Sequence, residues 1–324
     1  MDREQLEKNQ IPVYFIAVIV AAIGGLLAPN ASQNLGVMVT PAIAVLMYAM
    51  FLQIPFLDLR EGLTNKRFMA ALLTANFLAI PPLVWGLTSG LGDHPAILVG
   101  ALLVLLTPCI DYVVVFTHIG RGDSKLMLAA TPLLLLLQLM LLPLYLALMV
   151  GNDSAVVISV GPFIEAFVAL IALPLVLGVA TAAGAKRFRL IEGWNNAWAW
   201  MPVPAMASVL VVVIGSQIAA VVRDMDKLLP VIPVYIGFML LAPLAGALVA
   251  RAFKLPASTA RSVAFSSSTR NSLVVLPLAL ALPEDIRGLA AAAVITQTLI
   301  ELVSELIYIR VIPALIWRKN VVGW

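Results

Sequence analysis

The residues that could do chemistry in this chain are few, and they stand inside long apolar segments. Cys109 is the only cysteine among the 324 residues, and Asp111 follows it closely. Arg270 lies in the middle of another apolar segment, while Glu301 and Glu305 are one helical turn apart in a third. Charged side chains at membrane depth are costly, so they usually face protein or water and mark a functional site. These five residues are the first candidates for a site.

The composition identifies the kind of element that must position these residues. The chain is 62% hydrophobic and 11% charged, whereas soluble domains are roughly 45–50% apolar and about 25% charged. A soluble fold is therefore excluded. We expect an all-α integral membrane protein, because a segment that crosses a lipid bilayer must satisfy its own backbone hydrogen bonds.

Charge and cysteine content exclude several other classes of protein. Twenty Lys and Arg against seventeen Asp and Glu give a net charge of +3, too weak and too scattered for nucleic-acid binding. One cysteine excludes an intrachain disulfide and a cage of several thiolates, and two histidines leave little for a zinc site. No cofactor is expected. The motifs His-Glu-x-x-His and Gly-x-Ser-x-Gly do not occur, which disfavours an intramembrane enzyme.

Apolar runs of roughly 20 residues predict ten transmembrane helices. They lie near 11–28, 37–57, 68–90, 96–118, 126–150, 156–183, 198–222, 228–250, 257–282 and 287–317. The connections are short, so we expect one membrane unit without a separate soluble domain. The charged start of the chain lacks a signal-peptide pattern and is interpreted as a polar lead into the first helix.

The distribution of Lys and Arg predicts the orientation in the membrane. One alternating set of connections holds fourteen of these residues, whereas the other holds Arg223, Lys227 and Arg287. Both termini are therefore expected to face the cytoplasm, across a cell (inner or plasma) membrane. Four tryptophans are expected to anchor the chain at the membrane interfaces: Trp194, Trp198, Trp200 and Trp317.

An internal repeat relates the two halves of the chain. A shift of 161 positions places spans two to five on spans seven to ten, and it places Pro41 on Pro202. Because each half would hold an odd number of helices, the second copy must enter the membrane in the opposite direction. We expect two inverted five-helix repeats, over 1–155 and 156–324. Such repeats are typical of secondary transporters, whose substrate site lies near the bilayer midplane.

The fourth and ninth predicted spans are each interrupted near their centres. Pro108 lies about 17 Å from the start of span four, which favours a break at Thr107 and a half-helix from about Cys109. The repeat places Pro108 on Thr269, within the polar octet 265–272 of span nine. We expect the two broken helices to cross at the midplane. Their half-helix N-termini would suit an anionic or polar substrate.

Each of these residues also has a structural interpretation. Cys109 could be a small packing residue. Asp111 and Arg270 could pair with each other and hold the crossover together. The hydroxyls of Ser268 and Thr269 could join neighbouring helices. The sequence leaves these alternatives open.

The last predicted span carries two acids on one helix face, Glu301 and Glu305. Two carboxylates so close in a low dielectric cannot both ionise comfortably, so one of them could carry a proton. Glu301 is nearer the midplane and is the better candidate. Glu305 could instead reach water at the cytoplasmic end. Glu165, early in span six, is either a polar group of the site or an interfacial residue.

The sequence resembles the arsenite-efflux permeases of the yeast-type arsenical-resistance family, a branch of the bile-acid:sodium symporter superfamily. The resemblance covers the ten-span chain and is carried by three motifs, Thr107-Pro108-Cys109, Thr269-Arg270-Asn271 and Leu299-Ile300-Glu301. It implies that Cys109 is needed for transport and that Glu301 takes part in it. The usual continuation after Pro-Cys is Thr-Ala-Met-Val, whereas this chain has Ile110-Asp111-Tyr112-Val113.

The resemblance implies export of arsenite or antimonite from the cytoplasm by proton antiport. Trivalent arsenic is thiophilic, and one thiol completed by oxygen donors would bind weakly enough to release it. The substrate-binding candidates are Thr107, Cys109, Asp111, Ser268, Thr269, Arg270 and Asn271, and the proton-coupling candidates are Glu301 and Glu305. An arginine in span nine repels sodium, which favours protons. The alternative is a sodium- or proton-coupled symporter of a small organic anion, in which Arg270 would bind the carboxylate.

Overall fold

The computed structural model describes residues 9–53, 65–110, 112–150, 165 and 168–316, and their regular structure is helical. The first eight helices are α1 (Gln10–Leu27), α2 (Pro29–Gln33), α3 (Val39–Gln53), α4 (Lys66–Thr74), α5 (Ile80–Thr88), α6 (Pro95–Leu105), α7 (Val113–Ile119) and α8 (Ser124–Val150). The next eight are α9 (Leu173–Ala185), α10 (Arg189–Trp198), α11 (Pro202–Arg223), α12 (Met225–Leu228), α13 (Val231–Ala252), α14 (Ala257–Ser268), α15 (Ser272–Leu280) and α16 (Glu284–Leu315). A π-helical turn, Ala75–Ala79, joins α4 to α5, and another, Val168–Ala172, precedes α9.

Several of these helices are long and apolar enough to cross a membrane. Five segments qualify without a break: Pro29–Leu52, Lys66–Leu91, Pro202–Arg223, Val231–Ala252 and Glu284–Leu315. Helix α8 bends by 49° between Gln138 and Met140, and its two arms together would make a sixth span. The apolar helical architecture is that of a multi-pass integral membrane protein, as the composition predicts. The count of ten spans stays a prediction, because the start of span six lies outside the described residues.

The helices are grouped into two compact units, and each unit takes segments from both predicted repeats. Unit 1 comprises Met1–Pro55, Val157–Leu228 and Leu273–Ile295. Unit 2 comprises Phe56–Val156, Leu229–Ser272 and Thr296–Trp324. The inverted symmetry of 1–155 and 156–324 stays a prediction.

Unit 1 is held by close packing of apolar helices. Helix α1 packs along α11, where a Cβ atom at Gly25 would lie only 2.6 Å from the Gly215 carbonyl oxygen. Helix α3 packs on α9, where a Cβ atom at Gly178 would lie 2.9 Å from the Cβ of Phe51. At both contacts a larger side chain would separate the backbones, so glycine permits the close approach.

Unit 2 is built around α14, the helix that precedes the second break. Helix α13 lies along it, and a Cβ atom at Gly246 would lie 2.9 Å from the Cα of Ala264. On another side, the loop that follows α7 is fixed to α14, because the Asp123 N–H donates to the Ser262 hydroxyl at 2.7 Å. Arg261 donates to the Arg121 carbonyl at 3.1 Å. These contacts fix the helix that carries the polar octet.

Candidate functional site

The two interrupted helices meet at their breaks, within unit 2. The Cys109 backbone N–H donates to the Thr269 carbonyl at 3.0 Å. The Asn271 N–H donates to the Thr107 carbonyl at 2.8 Å. These bonds form a short antiparallel bridge and satisfy backbone groups that the helix ends leave open. The breaks that the sequence predicts in spans four and nine are therefore in direct contact.

The half-helix after the first break begins later than predicted. It starts at Val113 rather than at about Cys109, because Pro108 is bridged to Arg270 and cannot also open a helix. The preceding helix ends at Leu105. Asp111 lies outside the described residues, so its pairing with Arg270 stays a prediction.

Arg270 is fully buried, and its guanidinium group is held by neutral acceptors. Its Nη2 donates to Asn76 Oδ1 at 2.9 Å and to the Ser266 carbonyl at 2.6 Å. Its Nη1 donates to the Leu105 carbonyl at 3.3 Å. The guanidinium carbon lies 5.4 Å from the centroid of the Phe238 ring, a favourable distance for a cation and an aromatic face. Neutral dipoles and a ring thus hold the two terminal nitrogens, whereas the Nε–H has no hydrogen-bond partner among the described residues.

Asn76 accepts a hydrogen bond from this guanidinium group, and no sequence motif includes it. It lies in the π-helical turn Ala75–Ala79, and its Nδ2 donates to the Ser266 hydroxyl at 2.9 Å. The same amide donates to the Leu72 carbonyl at 3.1 Å. π-helical turns within α-helices are frequent at functional sites. The feature of the sequence that could have identified Asn76 is its side-chain amide within an otherwise apolar span.

Both carboxylate oxygens of Glu301 accept hydrogen bonds. Oε1 accepts from the Tyr112 hydroxyl at 2.6 Å. Oε2 accepts from the Arg270 backbone N–H at 2.9 Å and from the Gln297 amide. Glu301 therefore connects α16 to both helix breaks, through Tyr112 at the first and Arg270 at the second. Gln297 lies one turn before Glu301 on the same helix face, a spacing that could have identified it.

Glu305 is buried too, but only one of its oxygens is engaged. It is 0% exposed, so the expectation that it reaches water is wrong. Its Oε1 lies 2.6 Å from the Thr269 hydroxyl oxygen, and its Oε2 has no hydrogen-bond partner among the described residues. The Thr269 hydroxyl also lies 2.7 Å from the Phe265 carbonyl. Because a hydroxyl has one proton, it can donate to only one of these two acceptors at a time.

Comparison with known proteins identifies the family to which this arrangement belongs. The profile of the sodium bile acid symporter family matches residues 40–225, more than half of the chain. The chain belongs to the sodium bile acid symporter family. No curated protein matches the chain significantly. The superfamily to which the sequence motifs point is thus confirmed, and the protein is a membrane transporter of a small substrate.

The matched region of this symporter-family transporter covers only part of the site. It includes the first break with Cys109, but it ends before Arg270, Glu301 and Glu305. The arsenite-efflux branch therefore rests on the motifs of the sequence and stays a prediction.

The other predicted residues of the transporter have varied environments. Cys109 is fully buried, and its backbone N–H is bonded to the carbonyl of Thr269, the residue before Arg270. Asn271 is buried in the bridge. The Ser268 hydroxyl donates to the Ala264 carbonyl of its own helix at 2.8 Å. Glu165 is exposed.

Thr107 closes the helix before the first break. Its hydroxyl lies 2.9 Å from the Leu103 carbonyl and 3.1 Å from the Val104 carbonyl. It therefore satisfies carbonyl groups at the end of α6, and its hydroxyl is engaged by its own helix in the same way as that of Ser268.

Proposed function

We propose that the protein exports arsenite or antimonite from the cytoplasm in exchange for protons. The observation that carries the proposal is the position of Cys109, a single buried thiol in the bridge between the two broken helices, where its backbone N–H bonds to the residue before Arg270. Arsenous acid is uncharged near neutral pH, so it can approach a buried cation without a counter-ion. Soft thiol ligands select such a metalloid over ordinary small anions.

Binding would proceed by exchange of one ligand of arsenic. The arsenic–oxygen bond of one hydroxyl breaks, an arsenic–sulfur bond forms with Cys109, and the hydroxyl leaves as water with the thiol proton. No oxidation or reduction occurs. With a single thiol in the chain, water can reverse the step, which suits a carrier that must release its substrate.

The two buried acids would have different roles. Glu301 accepts three hydrogen bonds, from Tyr112, Gln297 and the Arg270 backbone. This arrangement stabilises a carboxylate, so Glu301 would hold the bridge in place. The sequence favours Glu301 as the proton carrier, and its hydrogen bonds favour the structural role instead.

Glu305 is the better proton carrier. If Glu305 is protonated, its Oε1–H can donate to the Thr269 hydroxyl, which can then donate to the Phe265 carbonyl. If Glu305 is ionised, the Thr269 hydroxyl can donate either to Glu305 or to the Phe265 carbonyl, and the other acceptor lacks its hydrogen bond. The Oε2 atom of Glu305 has no partner among the described residues. Loss of the proton would therefore require a change in these contacts, which is how a proton could be coupled to movement of the substrate.

The experiment measures accumulation of arsenite inside everted membrane vesicles, into which an exporter transports its substrate, and arsenite resistance of a sensitive bacterial host. At equal membrane abundance, we expect Cys109→Ser to lose resistance. We expect Glu305→Gln to keep binding arsenite but to lose acceleration by a pH gradient. Glu301→Gln should reduce transport and should also lower the abundance or the thermal stability of the protein, because Glu301 holds the bridge. Unchanged resistance in Cys109→Ser would contradict the thiol step, and a requirement for external sodium would contradict proton exchange.

The second candidate function is symport of a small organic anion, which is as compatible with membership of the sodium bile acid symporter family as arsenite export is. In this case Arg270 would bind the carboxylate of the substrate. Uptake of a labelled organic acid that depends on sodium and is unaffected by arsenite would support this function over arsenite export. Protection of Cys109 by arsenite against modification by thiol reagents would instead support arsenite export.

A further inference from the structure

Helix α10 presents a continuous apolar arc whose two sides have different surroundings. Ile191 lies against Gly184, and Trp198 meets the Tyr48 ring edge-on with 4.8 Å between ring centroids. Leu190, by contrast, is 90% exposed, and Trp194 is 53% exposed. At 3.6 residues per turn, these apolar residues share one half of the helix surface. Half of the arc packs on unit 1, and the other half has no cover within the described residues.

The turn before this helix and the first residue of the helix are basic. Lys186, Arg187 and Arg189 are exposed, and Glu192 is the acid among residues 186–200. The turn is well defined, because the Arg187 N–H donates to the Gly184 carbonyl at 2.9 Å. The positive charges are therefore displayed beside the exposed apolar strip.

Trp194 is held in place although it is exposed. Its Nε1–H donates to the Tyr48 hydroxyl at 3.0 Å, and that hydroxyl lies 3.1 Å from the Thr181 hydroxyl. A fixed indole that is bonded at its polar edge and open on its apolar face is typical of the boundary between lipid headgroups and acyl chains.

The neighbouring helices restrict where α10 can lie. The apolar helix α9 precedes it, and α11, which is long and apolar enough to cross a membrane, follows it after three residues. A short amphipathic helix between two such elements lies at a membrane surface. Its exposed apolar strip would then meet lipid rather than water or a soluble partner.

We propose that α10 lies in the plane of the membrane interface and binds acidic phospholipid headgroups. Lys186, Arg187 and Arg189 would contact the phosphate groups, while Leu190 and Trp194 would enter the acyl boundary. The negative charge of acidic headgroups complements the basic residues. A helix can present these residues and the apolar strip together, so that both contact the interface. The proposal is independent of the transported substrate.

The test uses the full-length protein in vesicles that contain phosphatidylglycerol and phosphatidylcholine in a fixed ratio. In one set the acyl chains of phosphatidylglycerol carry bromine, which quenches tryptophan fluorescence on contact. In the other set phosphatidylcholine carries it. The difference between wild type and Trp194→Phe isolates the signal of Trp194. We expect stronger quenching when the bromine is on phosphatidylglycerol.

The variant Lys186→Gln/Arg187→Gln/Arg189→Gln should remove this preference. Each basic residue near an acidic membrane surface changes the affinity for acidic lipid about fivefold. The affinity of the triple variant for phosphatidylglycerol should therefore fall on the order of a hundredfold at low salt. The matched control is Lys66→Gln/Lys125→Gln/Arg251→Gln, which neutralises three exposed basic residues on the same predicted side of the membrane. We expect the control to keep the preference.

A second measurement keeps the test valid if the triple variant is unstable. In the wild type, high salt should reduce the preference for brominated phosphatidylglycerol, because exposed charges are screened. Equal quenching by both lipids in the wild type would overturn the acidic-lipid contact. Absence of any quenching specific to Trp194 would overturn the interfacial position of α10.

Discussion

The two units of the chain bury different kinds of side chain. Among the described residues, the buried polar side chains of unit 1 are Ser32 and Ser216. In the described part of unit 2, one cation, Arg270, and two acids, Glu301 and Glu305, are buried together with many hydroxyls and amides. Burial of polar groups costs free energy unless each finds a partner. The interior of unit 1 is therefore held mainly by apolar packing, whereas unit 2 keeps a costly polar network that suits a function.

The largest effect that would test this contrast is expected at Arg270. Arg270→Leu removes the cation and leaves Asn76 and two carbonyls without their donor. We expect the free energy of unfolding to fall by about 3–5 kcal/mol, because three buried acceptors lose their donor at about 1–3 kcal/mol each, and we expect transport to be lost. The matched change in unit 1, Ser216→Ala, should cost less than about 1 kcal/mol. Thermal and denaturant unfolding in detergent measure both, and similar losses would remove the contrast.

A smaller loss is expected where unit 1 is most closely packed. Gly25→Ala places a methyl group against the Gly215 carbonyl oxygen and should destabilise the protein by about 2–3 kcal/mol. The control is Gly24→Ala in the same helix, because nothing lies within 4 Å of a Cβ atom there. We expect the affinity for arsenite to be unchanged in both variants. A change in affinity with Gly25→Ala would show that unit 1 does more than pack.

Asn76→Ala should have an intermediate effect inside unit 2. It leaves Arg270 without one neutral acceptor, which we expect to cost about 1–2 kcal/mol. A double-mutant cycle with Arg270→Leu should give a coupling free energy of about 1 kcal/mol or more. Thr88→Val in the same span is the control, since Thr88 donates to Val84 within its own helix. If the two changes are additive, Asn76 does not position Arg270.

The smallest effect is expected at the surface of unit 1. Tyr48→Phe removes a hydroxyl that joins Trp194 to Thr181, and this should cost about 0.5–1 kcal/mol. The fluorescence anisotropy of Trp194 should fall because its indole loses a hydrogen bond. A loss as large as that of Arg270→Leu would mean that a polar contact of unit 1 matters as much as the network of unit 2.

Much of the site could be predicted from the sequence because its residues break a local pattern. Pro108 and the octet 265–272 interrupt apolar runs, so the two breaks and their pairing were accessible. The start of α7 was predicted at about Cys109, four residues before its observed start at Val113. The reason is that Pro108 is engaged by the other break, a contact that no local rule contains.

The roles of the two acids could not be assigned from the sequence. Glu301 and Glu305 share a helix face, and the spacing treats them alike. Glu301 has three described donors, whereas one oxygen of Glu305 has none. Similarly, Asn76 and Arg270 are separated by 194 positions, and only the packing of α14 against the π-helical turn joins them.

The amino-acid sequence was sufficient to predict a helical membrane protein, the polar residues within its apolar segments and the places where two helices break. These properties depend on hydropathy and on proline and polar residues, which act over a few neighbouring positions. The three-dimensional fold was needed to show which acceptors hold Arg270, which acid keeps an unengaged oxygen and which side of α10 is left exposed. These properties depend on hydrogen bonds and contacts between distant segments, because a buried polar group is satisfied only by what the fold brings beside it.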